Sequence, residues 1–402
     1  MTQPQIYLDN AATTALRPEA LAAMMEFLQQ NHANPSSVYG QAVAAKMALD
    51  AAATDIAAII GASRREIYFT GSGTESINWA LKSAAHMAKP HGNHIITTSI
   101  EHHAVLHTCQ ALEKEGFEVT YLAVDAHGMV CPAAFAAAVR PDTILASIML
   151  ANNEVGNILP VAEIAAKLKE INADRQYKIL LHTDAVQAAC HIPIDVAALG
   201  ADLLSMSAHK LHGPKGVGAL YIRRGVKLPP FIHGGGHERG RRAGTENVAG
   251  IVGFAAAANL AHAEMAAEAP RQAALRDNFI AKILQAVPHS RLNGHPTQRL
   301  PGNINITFDF IEGEGMLLLL DAKGIAASSG SACTSGSLDP SHVLLAMGVP
   351  HESAHGSLRL TLSKYTQSSD LDRLLEALPP IVARLRSMSP LWEDFQKKEN
   401  TS

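Results

Sequence analysis

The sequence predicts an α/β protein with a mostly parallel sheet and helices on its faces, followed by a smaller α+β unit. Two observations carry this. Short β-branched or aromatic runs recur at residues 66–70, 94–98, 118–122, 144–150, 179–182, 202–205 and 218–222, and the first five alternate with helix-compatible segments. After about Gly250 the texture changes to a long Ala-rich helix over 251–268, interrupted by Pro270, which reads as a connector between domains. Beyond it, strand signals at 303–308 and 357–362 alternate with helix signals at 312–322, 340–347 and 370–385.

Taken in order, Ile6 to Leu8 reads as a short strand running into the polar turn 9–14. Pro18 then stands where a first helical position should be. That helix runs to about Gln30, the Asn34-Pro35-Ser36-Ser37 loop breaks it, and an Ala-rich helix over 41–60 is closed by Gly61. The charged tail from Pro390 is expected to fray. The division expected is an N-terminal segment 1–14, a large domain 15–258 and a small C-terminal domain 259–402.

Composition narrows the function. With 402 residues, 47% hydrophobic and 17% charged, core size is not limiting. A net charge of -4 and a pI near 6.6, with no Lys/Arg run interleaved with aromatics, argue against a nucleic-acid surface. The start of the chain shows neither a basic n-region nor an apolar h-region, and the Leu-rich run Met316 to Leu320 is far short of a membrane span, so a cytoplasmic protein without a membrane partner is expected. The four cysteines, Cys109, Cys131, Cys190 and Cys333, form no C-x-x-C pair. Neither a metal site nor a disulfide framework is suggested.

Several stretches are fit for chemistry. In Ser205-Met206-Ser207-Ala208-His209-Lys210, one amine sits among hydroxyls and imidazoles after an apolar run. A lysine partly desolvated beside other donors can form a Schiff base. The Thr70-Gly71-Ser72-Gly73-Thr74-Glu75 turn lies between a strand and a helix, where helix N–H groups and a hydroxyl make an anion site; no Gly-Lys-Ser/Thr follows, so it is not a P-loop. His102 and His103 fall at a strand's C-terminal end, as do Asn152 and Asn153. Asp184 ends another strand, and a buried carboxylate there demands a cationic partner such as a protonated pyridine nitrogen. Thr245 can cap the following helix or give its hydroxyl to a phosphate. The 327–337 stretch places Cys333 among small residues with no apolar neighbour to bury it, a setting that suits a nucleophile able to visit a site and leave it. Arg359 interrupts its strand's apolar pattern, and an inward arginine usually meets a carboxylate.

In this order, Asn34-Pro35-Ser36-Ser37, His182-Thr183-Asp184-Ala185-Val186-Gln187, Ser207-Ala208-His209-Lys210, Arg242-Ala243-Gly244-Thr245-Glu246-Asn247 and Ser329-Gly330-Ser331-Ala332-Cys333-Thr334-Ser335 resemble the pyridoxal-phosphate cysteine desulfurases of the aminotransferase class V family, in register from Tyr7 to Trp392. Within the NifS/IscS group the likeness is nearest the nitrogen-fixation type. The resemblance implies an aspartate-aminotransferase-like fold (pyridoxal-phosphate fold type I) with a mostly parallel seven-stranded sheet in its large domain. It makes Lys210 the Schiff-base lysine, sets Asp184 on the pyridinium nitrogen, gives Gln187 and Asn153 to the phenolic oxygen side, and stacks His102 on the ring, where it also assists catalysis. Gly73, Thr74, Ser207 and His209 would hold the phosphate, with Thr245 reaching across from the second subunit of a homodimer. Arg359, with Asn34 and Asn153, would bind the substrate. Cys333 would take sulfur from L-cysteine as a persulfide, leave L-alanine, and pass the sulfur to an iron–sulfur scaffold protein. An aminotransferase or selenocysteine lyase on the same scaffold would share Lys210 and Asp184 without needing Cys333, and a sulfur carrier without turnover would need no cofactor.

Overall fold

The computed structural model describes residues 5–329 and 339–399. A short strand β1 (Ile6–Tyr7) opens the chain, and β2 (Ile67–Thr70), β3 (His94–Thr98), β4 (Glu118–Leu122), β5 (Thr143–Ser147), β6 (Leu180–Asp184), β7 (Leu203–Ser207) and β8 (Gly218–Ile222) form one seven-stranded sheet in the order β2-β8-β7-β6-β5-β3-β4. β8 runs antiparallel to both of its neighbours, and the other pairs are parallel. Every residue of β2, β3, β5, β6, β7 and β8 is buried, which explains why these runs read as continuous apolar stretches. β4, at the edge, is the partly exposed one.

Because β8 is antiparallel to both β2 and β7, β2 points the same way as β3, β5, β6 and β7. Their carboxyl ends therefore open on one side of the sheet, where such sheets bind ligands.

The second half builds a three-stranded antiparallel sheet, with β10 (Asn303–Phe308) between β9 (Ser290–Leu292) and β12 (Ser357–Thr361). β11 (Ile325–Ala326) pairs in parallel with β1, so the first strand of the chain joins the last quarter. The apolar core of this half contains Ile6 and Leu8 as well as Phe279, Ile304, Leu360 and Leu374. Conversely Val343, Leu344 and Met347 pack into the core of the large sheet. Packing thus crosses the expected 258/259 boundary in both directions.

Two expectations are corrected. Pro270 does not interrupt the helix, which runs unbroken over Val248–Ala286. Pro270 and Ala266, the residue whose carbonyl loses its partner, both lie on the exposed side, where the freed oxygen is open to solvent. Buried residues on each flank, Phe254 in one core and Phe279 in the other, hold the two segments in line. By length and composition this helix passes for a membrane span, yet 44% of its most apolar window is buried inside the protein. The tail also does not fray: Pro390–Glu399 is a helix whose Trp392 and Phe395 pack on Phe310 and His289, with ring centroids 4.8 to 5.6 Å apart. Arg386 lies 5.0 Å from the Trp392 ring.

Candidate active site

A cavity of about 370 Å³ lies at the carboxyl ends of the strands and brings together Gly73, Thr74, His102, Asn153, Asp184, Gln187, Ser207, His209, Lys210 and Arg359. All but Arg359, which is the middle residue of β12, come from a strand end of the large sheet or the segment that follows it. Lys210 closes a single 3-10 turn, Ala208–Lys210, directly after β7. Its Nζ donates to the carbonyls of Ala11 (2.6 Å) and Ala12 (2.7 Å), so the N-terminal turn holds the amine.

Asp184 is buried, and its Oδ1 accepts the Val186 N–H at 2.9 Å. Burial pushes this carboxyl up to about 6, against the opposing pull of the Val186 hydrogen bond and the Lys210 charge. A carboxylate desolvated to this degree is stabilised by a cation brought into the cavity. Behind it Glu101 is wholly buried and pushed up to about 8, by burial first. Its Oε1 accepts from Thr98 Oγ1 and from the Met149 N–H.

The anion cradle forms where β2 turns into the helix Gly73–Ala88. Ser72 caps that helix by accepting the Glu75 N–H at 3.0 Å, and Gly73 and Thr74 begin its first turn, whose N–H groups have no partner within the helix. Glu75 folds back to the Gly71 N–H and pairs with Arg242 at 2.8 Å, which fixes the turn. The turn presses on β8: a Cβ on Gly218 would lie 2.5 Å from the Ser72 carbonyl carbon. Ser207 and His209 face the same cradle, and His209 Nδ1 lies 3.1 Å from Thr13 Oγ1. Burial, then Lys210, lowers His209 to about 4.

Arg359 is 2% exposed and pairs with Asp9 at 2.9 Å, as an inward arginine should; its Nη1 donates to the Asn153 carbonyl at 3.2 Å. Gln187 Nε2 donates to the Ala11 carbonyl at 3.0 Å, so its amide is anchored on the N-terminal turn.

Two predicted residues, Asn34 and Thr245, lie outside this cavity, and a third, Cys333, lies outside the described residues. Asn34 is exposed and outside the cavity, with its Oδ1 accepting the Ser36 N–H at 2.9 Å. Thr245 is also exposed and outside the cavity of the single chain, and it does not cap the next helix: Asn247 does, accepting the Gly250 N–H at 3.0 Å. The Asn side chain is the better N-cap, and it immediately precedes the helix. Cys333 lies outside the described residues. The chain on either side is tied to the site, with Ser328 bridged to Arg359 and the Ser341 hydroxyl donating to the buried Glu154. Cys109, Cys131 and Cys190 are free thiols, and burial pushes Cys109 and Cys190 up to about 12, which makes them inert.

Sequence reasoning missed Asp9, Glu75, Glu101 and Glu154. The acidic residues Asp9, Glu75 and Glu101 follow or lie within motifs already singled out, and a carboxylate at a strand's carboxyl end was the available signal.

The fold and this cavity define a class, and the comparisons agree: the sequence pattern described as aminotransferase class-V matches residues 6–374, and the chain belongs to that family. Its cofactor is pyridoxal 5'-phosphate. Among similar proteins, cysteine desulfurase IscS of Methanosarcina thermophila is 56% identical over 386 residues, covering 96% of this chain and 94% of that protein. Cysteine desulfurase IscS of Clostridium botulinum (strain Hall) is 52% identical, covering 98% of both. The solved structure of a NifS-like protein superposes with a TM-score of 0.89 at 39% identity, covering 95% of this chain and 100% of that one. The cavity fits the cofactor: a buried carboxylate suits a pyridinium nitrogen, the Gly73–Thr74 turn suits a phosphate, and Lys210 lines the same cavity.

Proposed function

We propose that this protein is a cysteine desulfurase, converting L-cysteine to L-alanine and carrying the sulfur away as a persulfide on Cys333. The observation that carries the reading is the convergence of Lys210, Asp184, His102 and Arg359 on one cavity. Bound pyridoxal phosphate supplies an electron sink for the substrate's α-carbon. Asp184 would hold a proton on the ring nitrogen by charge, while Thr74, Ser207 and His209 would bind the phosphate. Asn153 and Gln187 would serve the phenolic oxygen. The Arg359 guanidinium takes the substrate carboxylate. Lys210 would hold the cofactor covalently and serve as the base for the α-proton, and His102 presents a neutral ring to the same cavity. The Cys333 thiolate attacks the substrate sulfur; the new S–S bond forms as the substrate C–S bond breaks, and the carbon receives the electron pair and then a proton.

A homodimer, with Thr245 serving the neighbouring site, is supported by the exposure of Thr245 and by a run of exposed apolar side chains at Leu28, Val38, Tyr39, Val43 and Met47. The persulfide passes to an iron–sulfur scaffold protein in the cytoplasm, and the sequence likeness to the nitrogen-fixation type favours a nitrogenase-linked scaffold.

The test is alanine release from L-cysteine by purified protein. Cys333→Ala should keep the lysine-linked cofactor chromophore and lose alanine production, whereas full turnover by this variant rules out the thiol as nucleophile. Lys210→Ala should lose the chromophore's lysine linkage. Activity on other amino acids that is independent of Cys333 would instead mark an aminotransferase.

A further inference from the structure

Behind the turn that carries Lys210 lies a second, small cavity of about 40 Å³, lined by Arg17, His191, His212, Glu264, Glu268 and Lys364. Arg17 is among the largest fully buried side chains of the protein, at 2% exposure. One of its nitrogens, Nη2, pairs with Glu264 Oε2, but Nε and Nη1 are buried without a hydrogen-bond partner among the described residues. Lys364 Nζ takes the other oxygen of the same carboxylate at 2.7 Å, so two cations share Glu264. The other carboxylate of the lining, Glu268, is already engaged by Arg271 at 2.8 Å and by Gln272 at 3.3 Å. Arg17 and Lys364 line the cavity with Glu264 and Glu268, and once Arg271, which pairs with Glu268 from outside the lining, is included the cluster carries one positive charge in excess. Burial keeps His191 and His212 neutral, so they add hydrogen-bonding capacity without charge.

Only Arg17 is fully buried, the other four side chains being a quarter to a third exposed; leaving its buried N–H groups unmet is costly, and water can satisfy them without offsetting the extra charge of the cluster. The space is several times the roughly 10–15 Å³ that one water needs, ample for a halide-sized ion. We infer that this cavity binds a small monovalent inorganic anion of chloride size, held by Arg17 Nε and Nη1 and balanced by Lys364. Its walls come from the N-terminal segment, the Lys210 turn, the long helix and the loop after β12. The Arg17 N–H already donates to the His212 carbonyl at 3.0 Å, and His191 Nε2 lies 3.3 Å from the Lys210 carbonyl. The anion fastens the cofactor-bearing turn to the second half of the protein.

The test uses the holoenzyme crystallised with bromide as the halide. An anomalous peak beside Arg17 Nε and Nη1 is expected, and ordinary water density without anomalous signal at that point overturns the assignment. In solution, exchanging gluconate for chloride at constant ionic strength should raise the unfolding temperature of the holoenzyme, because a ligand of the native state stabilises it. Arg17→Met and Lys364→Met should each abolish that difference. Equal unfolding temperatures for the unaltered protein in the two salts would remove the clamp.

Discussion

The Ala104 backbone N–H donates to His102 Nδ1 over 3.1 Å, at the N-cap of the helix His103–Lys114. The bond leaves the proton of the neutral ring on Nε2. Burial first, then the Lys210 charge and the neighbouring histidines, lower this imidazole to about 4, so it stays neutral through the physiological range. His102→Gln should keep the cofactor bound and lower alanine production by about 10²–10⁴-fold, the usual scale for a positioned acid–base group. Absorbance together with steady-state rates would check this, and a rate unchanged from the parent's would remove His102 from the chemistry.

Asp184→Asn tests the carboxylate proposed to pair with the ring nitrogen. Opposite charges about 4 Å apart attract by roughly 4 kcal/mol at an effective dielectric of 20, or about a thousandfold in rate if that stabilisation is lost only at the transition state. The expected result is a kcat lowered on that order with the chromophore altered but present. A variant within a few-fold of the parent would show that the ring nitrogen needs no carboxylate.

Glu101 gives a stability signature with a definite sign. Its carboxyl is raised from 4.5 to about 8 in the folded protein by burial. The folded state therefore holds a proton that the unfolded state has released, and the stabilisation is complete below about 4.5 and lost as pH rises through about 8. Glu101→Gln, which mimics the protonated acid, should flatten that part of the stability–pH curve measured by urea unfolding of the apoprotein. An unchanged slope between those limits would mean that Glu101 ionises in the fold.

Gly218→Ala probes the contact between β8 and the phosphate turn. The added methyl would meet the Ser72 carbonyl oxygen at 2.6 Å and the Gly73 nitrogen at 2.9 Å, both backbone atoms that can yield only by moving the turn. Overpacking of this kind costs about 1–3 kcal/mol. The expected outcome is weaker cofactor binding, read from dialysis or equilibrium titration, alongside a lower unfolding temperature.

Much of the cofactor site was legible because strand ends and turns are local. Lys210, Asp184 and Thr74 each follow an apolar run by a residue or a few, and the sheet's geometry then brings their ends together. Arg359 was half legible: an arginine in an apolar strand announces a buried partner, but Asp9, 350 residues away, carries no mark of being that partner. The continuity of the helix through Pro270 depended on which side of it faces water, which only packing decides. The tail helix depended likewise on Phe310 and His289, remote aromatic rings that no local pattern connects to Trp392.

The pairing of β1 with β11 has a bearing on how the enzyme is made. The carbonyls that receive the Lys210 amine belong to Ala11 and Ala12, and Ala11 is in turn fixed by Thr361 Oγ1 at 2.8 Å. Residues 6–12 thus find their places only after β11 and β12, which are synthesised hundreds of residues later, have been made. Contacts of such long range form late. A nascent or truncated chain lacking those strands lacks the seat for the carbonyls that hold Lys210, so the reactive amine and its cofactor come into register only once β11 and β12 have been made.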